Sequence, residues 1–353
     1  MPATIEIHKV SLVTARNPKN ATNTTSTHGN GGCSMAPNIR RRTHPRDPWQ
    51  GWLAGRLAAV TAPARAGLHE WIEGARPRTL PAAVAPVLAG TGAAGLNDGI
   101  IWWKALLTLG VSLSLQIGVN YANDYSDGIR GTDDDRVGPL RLVGSGLATP
   151  GAVKRAAFVF LGLGAVLGLV LAATTTWWLL LVGAVAIGAA WTYTGGSSPY
   201  GYRALGEVSV FVFFGLVAVV GTTFVQLERV TWPSVVAGVG VGALACAILV
   251  ANNLRDIPTD TVSGKRTLAV VLGDARSRRF YIGLGVVALA AVVGCAFATP
   301  WALLGLLGLP LVVRASRTVA SGASGPALIP VLRDTGLAEL VLAAGLALGL
   351  ALG

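Results

Sequence analysis

From residue 71 to the C-terminus the chain alternates long apolar blocks with short polar segments. The blocks are rich in Ala, Val, Leu and Gly. Several approach the roughly 20 residues that a helix needs to cross the hydrocarbon core of a bilayer. Their limits predict nine helices, over residues 79–96, 101–122, 154–173, 177–194, 206–226, 232–254, 279–298, 300–315 and 335–353. The eighth is short enough for re-entrant or paired packing. Glycines repeat at Gly162, Gly164 and Gly168 and again at Gly238, Gly240 and Gly242, a spacing that predicts close helix approach within lipid. The expected fold class is all-α, a polytopic membrane helical bundle.

Composition sharpens this picture. Of the 353 residues, 52% are hydrophobic and 13% charged, about half the charge of a globular chain, so a soluble multidomain protein is excluded. Cys33, Cys246 and Cys295 are too scattered for a disulfide framework, and no Cys or His cluster has the spacing of a metal site. The net charge of +11 would suggest nucleic acid, but residues 1–66 alone hold nine Lys/Arg against two acids. No nucleic-acid partner is expected. That segment is polar, low in complexity and unable to bury a core. It is read as a disordered basic tail over 1–66, preceding a transmembrane domain over 67–353. Its weakly apolar piece at 52–60 is interrupted by Arg56, which argues against a secretory signal, and Met35 is itself a candidate start.

Orientation follows from the basic residues, because Lys and Arg collect in cytoplasmic loops. With the N-terminus inside and nine spans, seventeen of the domain's bases fall on the cytoplasmic side, and only Lys104 and Arg229 fall opposite. The expectation is a multi-pass protein of the cell membrane with its C-terminus outside. Arg276, Arg278 and Arg279 read as anchoring charges.

The acids carry the functional argument. Seven of the seventeen sit in two segments at expected cytoplasmic helix ends. One holds Asn120, Asp124 and Asp127, followed by Asp133, Asp134 and Asp135. The other holds Asn252, Asn253, Arg255, Asp256 and Asp260. Asn120, Asp124 and Asp127 share one helix face, as do Asn252, Asp256 and Asp260 if the helix continues. Pro258 argues for an earlier helix end, with Asp260 in the following loop. Carboxylates grouped at a membrane surface need partners or a wet cavity. Carboxylates with amide oxygens suit Mg²⁺, which is commonly completed by substrate phosphate oxygens. The interleaved bases Arg130, Arg141, Arg255, Lys265 and Arg266 suit the remaining phosphate oxygens. Asp133, Asp134 and Asp135 read equally well as a solvated loop. An ion-coupled transporter would also group acids, but at the bilayer midplane within broken helices. A non-catalytic scaffold would need no such clusters.

The paired motifs, Asn120 with Asp124 and Asp127, and Asp256 with Asp260, Gly264 and Lys265, resemble those of the UbiA-type membrane prenyltransferases, a family with a nine-helix intramembrane bundle. Further segments are similar to the 1,4-dihydroxy-2-naphthoate polyprenyltransferase branch of menaquinone biosynthesis, particularly its actinobacterial members. These are Gly74 to Pro81, Asn120 to Arg141, Tyr193 to Gly196, Leu205 to Glu207, and Asn252 to Asp260. The resemblance spans about residues 67–353. It implies Asn120, Asp124, Asp127, Asp256 and Asp260 as ligands of Mg²⁺ and diphosphate, Arg141 and Lys265 as diphosphate contacts, and Tyr193 beside the aromatic acceptor. Tyr193 also fits a place in the interfacial aromatic belt. The implied reaction joins a polyprenyl diphosphate to 1,4-dihydroxy-2-naphthoate with loss of carbon dioxide, giving demethylmenaquinone. 4-Hydroxybenzoate, homogentisate or a sugar phosphate would be the acceptor in other branches.

Overall fold

The computed structural model describes residues 66–131 and 140–353. The readings of the basic tail and of Asp133, Asp134 and Asp135 fall outside these residues. The described chain is helical: α1 Leu68–Gly74, α2 Pro81–Gly95, α3 Trp102–Gly128, α4 Pro150–Ala173, α5 Leu179–Thr192, α6 Gly206–Leu227, α7 Trp232–Val262, α8 Leu268–Leu272, α9 Asp274–Cys295, α10 Pro300–Ala320 and α11 Gly325–Ala351. Each apolar block thus forms a helix. Seven of them, α3, α4, α6, α7, α9, α10 and α11, are long and apolar enough to cross a membrane, whereas α2 and α5 are shorter. The count of nine crossings therefore stands as an expectation, with seven candidate spans among the described residues.

Local signals set the helix starts. Pro150 and Pro233 occupy first-turn positions where a missing N–H costs nothing. Thr149 and Thr231 precede them and accept the backbone N–H of Ala152 and Ser234 through their side chains. Pro258 does not end α7, contrary to the sequence expectation: the helix runs on to Val262 and carries Asp260 with it. Hydroxyls support this last stretch. Thr259, Thr261 and Ser263 donate to the carbonyls of Asp256, Ile257 and Asp260, adding hydroxyl bonds to the last turns of the helix.

α7 and α11 are the most enclosed spans. They share a core of small and aliphatic side chains with α2, including Ala85, Ala89, Val241, Leu244, Ala338 and Leu342. α9 packs along α7, and α3 along α4. The glycine repeats divide. Gly242 approaches α6 so closely that a Cβ there would lie 2.9 Å from the Gly215 Cα, beside a π-helical stretch at Phe211–Val217. Gly162 and Gly168, by contrast, meet nothing within 4 Å, so the packing reading holds for the second repeat and fails for those two positions. Gly162 lies on α4 among exposed Leu163, Val166 and Leu169.

The two ends of the bundle differ chemically. One end gathers exposed Trp102, Trp103, Trp177, Trp178, Trp232 and Trp301, together with Lys104, whose ammonium caps the end of α4 on the Thr174 carbonyl and the Thr175 hydroxyl. Tryptophans of this kind mark a membrane–water interface. The other end holds both acidic motifs.

Candidate active site

The first acidic motif ends α3, and all three of its members are buried. Asp124 accepts the backbone N–H of Leu142 at 2.8 Å and of Val143 at 3.0 Å, pinning the turn that follows the undescribed residues. This turn carries Arg141 back onto Asp127, with Nη2 to Oδ2 at 3.3 Å. Asn120 donates to the Ala75 carbonyl at 2.9 Å and to the Thr79 hydroxyl at 3.0 Å. It thereby fixes the entry to α2 against α3.

The second motif ends α7. Arg255 grips its neighbour Asp256 through two bonds, Nε to Oδ1 at 2.6 Å and Nη2 to Oδ2 at 2.7 Å, and also donates to Asn252 Oδ1 at 2.9 Å. Bidentate geometry of this kind is strong and directional. Asn253 donates to Glu207 Oε1 at 2.9 Å, tying α7 to the start of α6. Asp260 accepts the Thr267 hydroxyl at 3.4 Å, and its own carbonyl receives the Lys265 N–H.

One residue absent from the sequence reading joins the two motifs. Tyr202 donates its hydroxyl to Asp127 Oδ1 at 2.6 Å, and its ring lies under Lys265, with Nζ 4.9 Å from the centroid. The adjoining Arg203 pairs with Arg266 in an isolated bridge. The two helix ends are therefore brought together through the turn at Tyr200–Tyr202. No spacing rule could have singled out Tyr202, because its position comes from tertiary contact.

A cavity of about 910 Å³ opens between these elements. Of the sequence-expected residues, Asn120, Arg141, Arg255 and Tyr193 line it, whereas Asp124, Asp127, Asp256, Asp260 and Lys265 do not; Asp127 and Asp256 reach it through the arginines they pair with. Arg76, Arg78 and Arg333, none of them a sequence-expected ligand, also line the cavity. Its deeper walls are aliphatic and aromatic, among them Leu115, Leu171, Val182, Phe213 and Val217. Arg130 does not line the cavity: it donates to the carbonyls of Ser126, Thr194 and Gly196, bracing the loop after α5, and its guanidinium lies over the Tyr202 ring, 5.6 Å from the centroid. Tyr193, at the start of that loop, packs against Gly206, where a Cβ would come within 3.1 Å of its hydroxyl. Burial first, and then the neighbouring acid Glu207, push the Tyr193 phenol well above its ordinary range.

Among the described residues no three acidic or imidazole side chains form a ready-made metal cage. The donor chemistry nevertheless fits a hard cation. Each helix end offers buried carboxylates, with Asp127 against Arg141 and Asp256 against Arg255, and Mg²⁺ is commonly held by one or two carboxylates together with waters and substrate phosphate oxygens.

These features match a known group of proteins. The UbiA prenyltransferase family model matches residues 83–326. The chain belongs to the UbiA prenyltransferase family. Within it, the chain is 60% identical over 288 residues to a 1,4-dihydroxy-2-naphthoate octaprenyltransferase of Mycobacterium tuberculosis, covering 82% of this chain and 99% of that protein. It is 39% identical over 278 residues to the protein of the same name from Escherichia coli, covering 75% and 89%. Among solved structures, the fold resembles the apo form of a UbiA homologue from Aeropyrum pernix, with a TM-score of 0.61 at 15% identity, covering 76% of this chain and 97% of that one. It also resembles an Archaeoglobus fulgidus UbiA homologue bound to DMAPP and Mg²⁺, with a TM-score of 0.57 at 15% identity, covering 80% and 99%. A multi-pass UbiA-type membrane bundle is therefore the architecture of this chain.

Proposed function

We propose that this UbiA enzyme transfers a polyprenyl group from polyprenyl diphosphate to 1,4-dihydroxy-2-naphthoate, with loss of carbon dioxide. The observation that carries this reading is the 60% identity to a 1,4-dihydroxy-2-naphthoate octaprenyltransferase across 99% of that protein's length. The site supports it: a cavity lined by Arg76, Arg78, Arg141, Arg255 and Arg333 together with aliphatic and aromatic walls can take a diphosphate head and an isoprenoid tail.

Arg141 and Arg255 stand at the cavity wall to take diphosphate oxygens, with Lys265 behind them. Asn120, Asp124, Asp127, Asp256 and Asp260 are the residues that would hold Mg²⁺ with the diphosphate. When bound, Mg²⁺ supplies charge neutralisation at the departing diphosphate. The chain's cations add to this as the allylic C–O bond breaks and negative charge moves onto the leaving group. The aliphatic walls keep water from the allylic cation until the ring carbon bearing the carboxylate attacks it. The C–CO₂⁻ bond then breaks and its electron pair restores the aromatic ring. The balance leaves carbon dioxide, diphosphate and the prenylated hydroquinone, demethylmenaquinol; reaching the quinone takes a separate two-electron oxidation. No net proton is removed from the acceptor, so the chemistry requires no strong base.

That bookkeeping bears on Tyr193. Tyr193 lines the chamber beside Tyr200 and Ser209, where its phenol can serve as a neutral donor to the acceptor. Tyr193→Phe is expected to lower kcat/KM while leaving the alkaline limb of a pH 7–10 profile in place. Loss of that limb in the variant would identify a Tyr193 phenolate as base.

The charged end faces the cytoplasm in this reading, because most of the membrane domain's bases fall at that end. Residues 1–66 are treated as a tail outside the catalytic domain. The transporter alternative is disfavoured because both Asn/Asp motifs sit at one end of the bundle, with Asp127 and Asp256 paired to arginines. Purified protein given a polyprenyl diphosphate and 1,4-dihydroxy-2-naphthoate is expected to form prenylated product with Mg²⁺ and none with excess chelator. Equal product in chelator would overturn the metal assignment.

A further inference from the structure

The far end of the cavity is walled partly by glycine. The starts of α3 and α5 and the ends of α4 and α6 lie together at the tryptophan end of the bundle. There Lys104 caps α4, the Ile101 N–H donates to Gln226 Oε1 at 3.1 Å, and the rings of Trp178 and Phe224 meet edge to face with centroids 5.1 Å apart. Counted inward from those ends, Gly168 of α4, Gly183 of α5 and Gly221 of α6 fall at one level, roughly 6–9 Å along each helix. All three line the cavity, and they are its only glycines among the described residues.

Each occupies the inner face of its helix. Gly168 lies one turn beyond Gly164, where a Cβ would meet Leu115 of α3 at 3.3 Å, and one turn before the buried Leu171. Gly183 stands between Leu179 and Ala186, and Gly221 between Val217 and Val225, all of which line the cavity. A glycine in a membrane helix ordinarily lets another helix approach closely. These three serve no such contact, because a Cβ at any of them would meet nothing within 4 Å. Their missing side chains leave the lumen open at one level, whereas Leu115, Phe213 and Val217 stand in its walls nearer the charged end.

We propose that Gly168, Gly183 and Gly221 are specificity-determining positions that set the length of isoprenoid accepted, by leaving a passage for a tail that runs beyond their level. This rests on the polyprenyl diphosphate donor assigned above. On the cavity face of α3, Asn120 marks the charged end and Thr108 the glycine level, roughly 18 Å apart along the helix. With its head at the charged end, a two-unit geranyl tail stops short of the glycines. An octaprenyl tail has to pass them.

The test compares geranyl and octaprenyl diphosphate as donors for Gly183→Leu and Gly221→Leu. Leucine is the better helix former and has open space at both positions, so the variants are expected to fold. In each, the ratio of kcat/KM for the short donor to that for the long one is expected to rise roughly 5- to 150-fold, the penalty of overfilling an apolar site. Gly162→Leu, on the exposed face of the neighbouring α4, is expected to leave the ratio unchanged. An unchanged ratio in the cavity variants, or an equal shift in Gly162→Leu, overturns the assignment. If a leucine variant does not fold, the unaltered enzyme decides with octaprenyl diphosphate carrying a mid-chain diazirine. Adducts within a turn of the glycines on α4, α5 or α6 support the assignment, and adducts confined elsewhere overturn it. An unaltered enzyme that transfers neither tail would instead sink the donor reading.

Discussion

Asp256→Asn is expected to lower turnover by roughly 10²- to 10³-fold, the range seen when one preorganised electrostatic contact to a developing charge is removed. Asp256 is 8% exposed and held in a two-bond clasp by Arg255. The carboxylate therefore does two jobs. It supplies negative charge for a cation at the end of α7, and it fixes the guanidinium that lines the cavity. The amide keeps the shape and one acceptor oxygen, so the bundle stays folded, but the charge is gone and the second bond to Arg255 is lost. Loss of a buried partner is also destabilising, so the melting temperature is expected to fall. Product formation by detergent-purified protein, normalised to folded protein, checks this. Activity within threefold of the unaltered enzyme would remove Asp256 from the site.

The second large effect is expected at Tyr202, which holds Asp127 and Lys265 to one another. Tyr202→Ala removes a hydrogen bond to a charged group, worth about 1.5–3 kcal/mol, and a cation–ring contact worth about 0.5–2 kcal/mol. If both losses are felt in the transition state, kcat/KM is expected to fall by roughly 30- to 5000-fold. Tyr202→Phe keeps the ring under Lys265 and loses only the hydroxyl, so a fall of roughly 10- to 150-fold is expected. Steady-state kinetics on the two variants give the order directly. A Phe variant as impaired as the Ala variant would mean that the ring contact contributes nothing, and a fully active Ala variant would mean that the joint is irrelevant.

Much of this was legible in the chain itself, for identifiable reasons. Apolar blocks in a membrane protein are long, so they placed a helix at every predicted position. The acid motifs were visible because charge at a membrane helix end is costly and therefore stands out. What the sequence concealed was tertiary. Pro258 looked like a terminator, but α7 continues through it, with side-chain hydroxyls serving its last carbonyls. Arg130 looked like a diphosphate ligand by proximity to the first motif, yet the fold turns it onto loop carbonyls. None of Arg76, Arg78 and Arg333 was an expected ligand, yet all three line the cavity. Gly162 and Gly168 share their repeat with Gly164, which packs, but a Cβ at either would meet nothing within 4 Å, and Gly168 lines the cavity. Tyr202 gave no signal at all, because a neutral side chain in a polar turn acquires a role only from what the fold sets against it.

The account turns on the two acidic helix ends acting as a single receptor for the diphosphate head. The most direct test is equilibrium binding of a non-reacting polyprenyl thiodiphosphate in Mg²⁺ to the unaltered protein, to Asp127→Asn, to Asp256→Asn and to the double variant. Each single substitution is expected to weaken binding strongly, and the double variant only slightly further, because either loss already disables the shared unit. Independent, fully multiplying losses, or undiminished binding after substitution in either helix end, would contradict it.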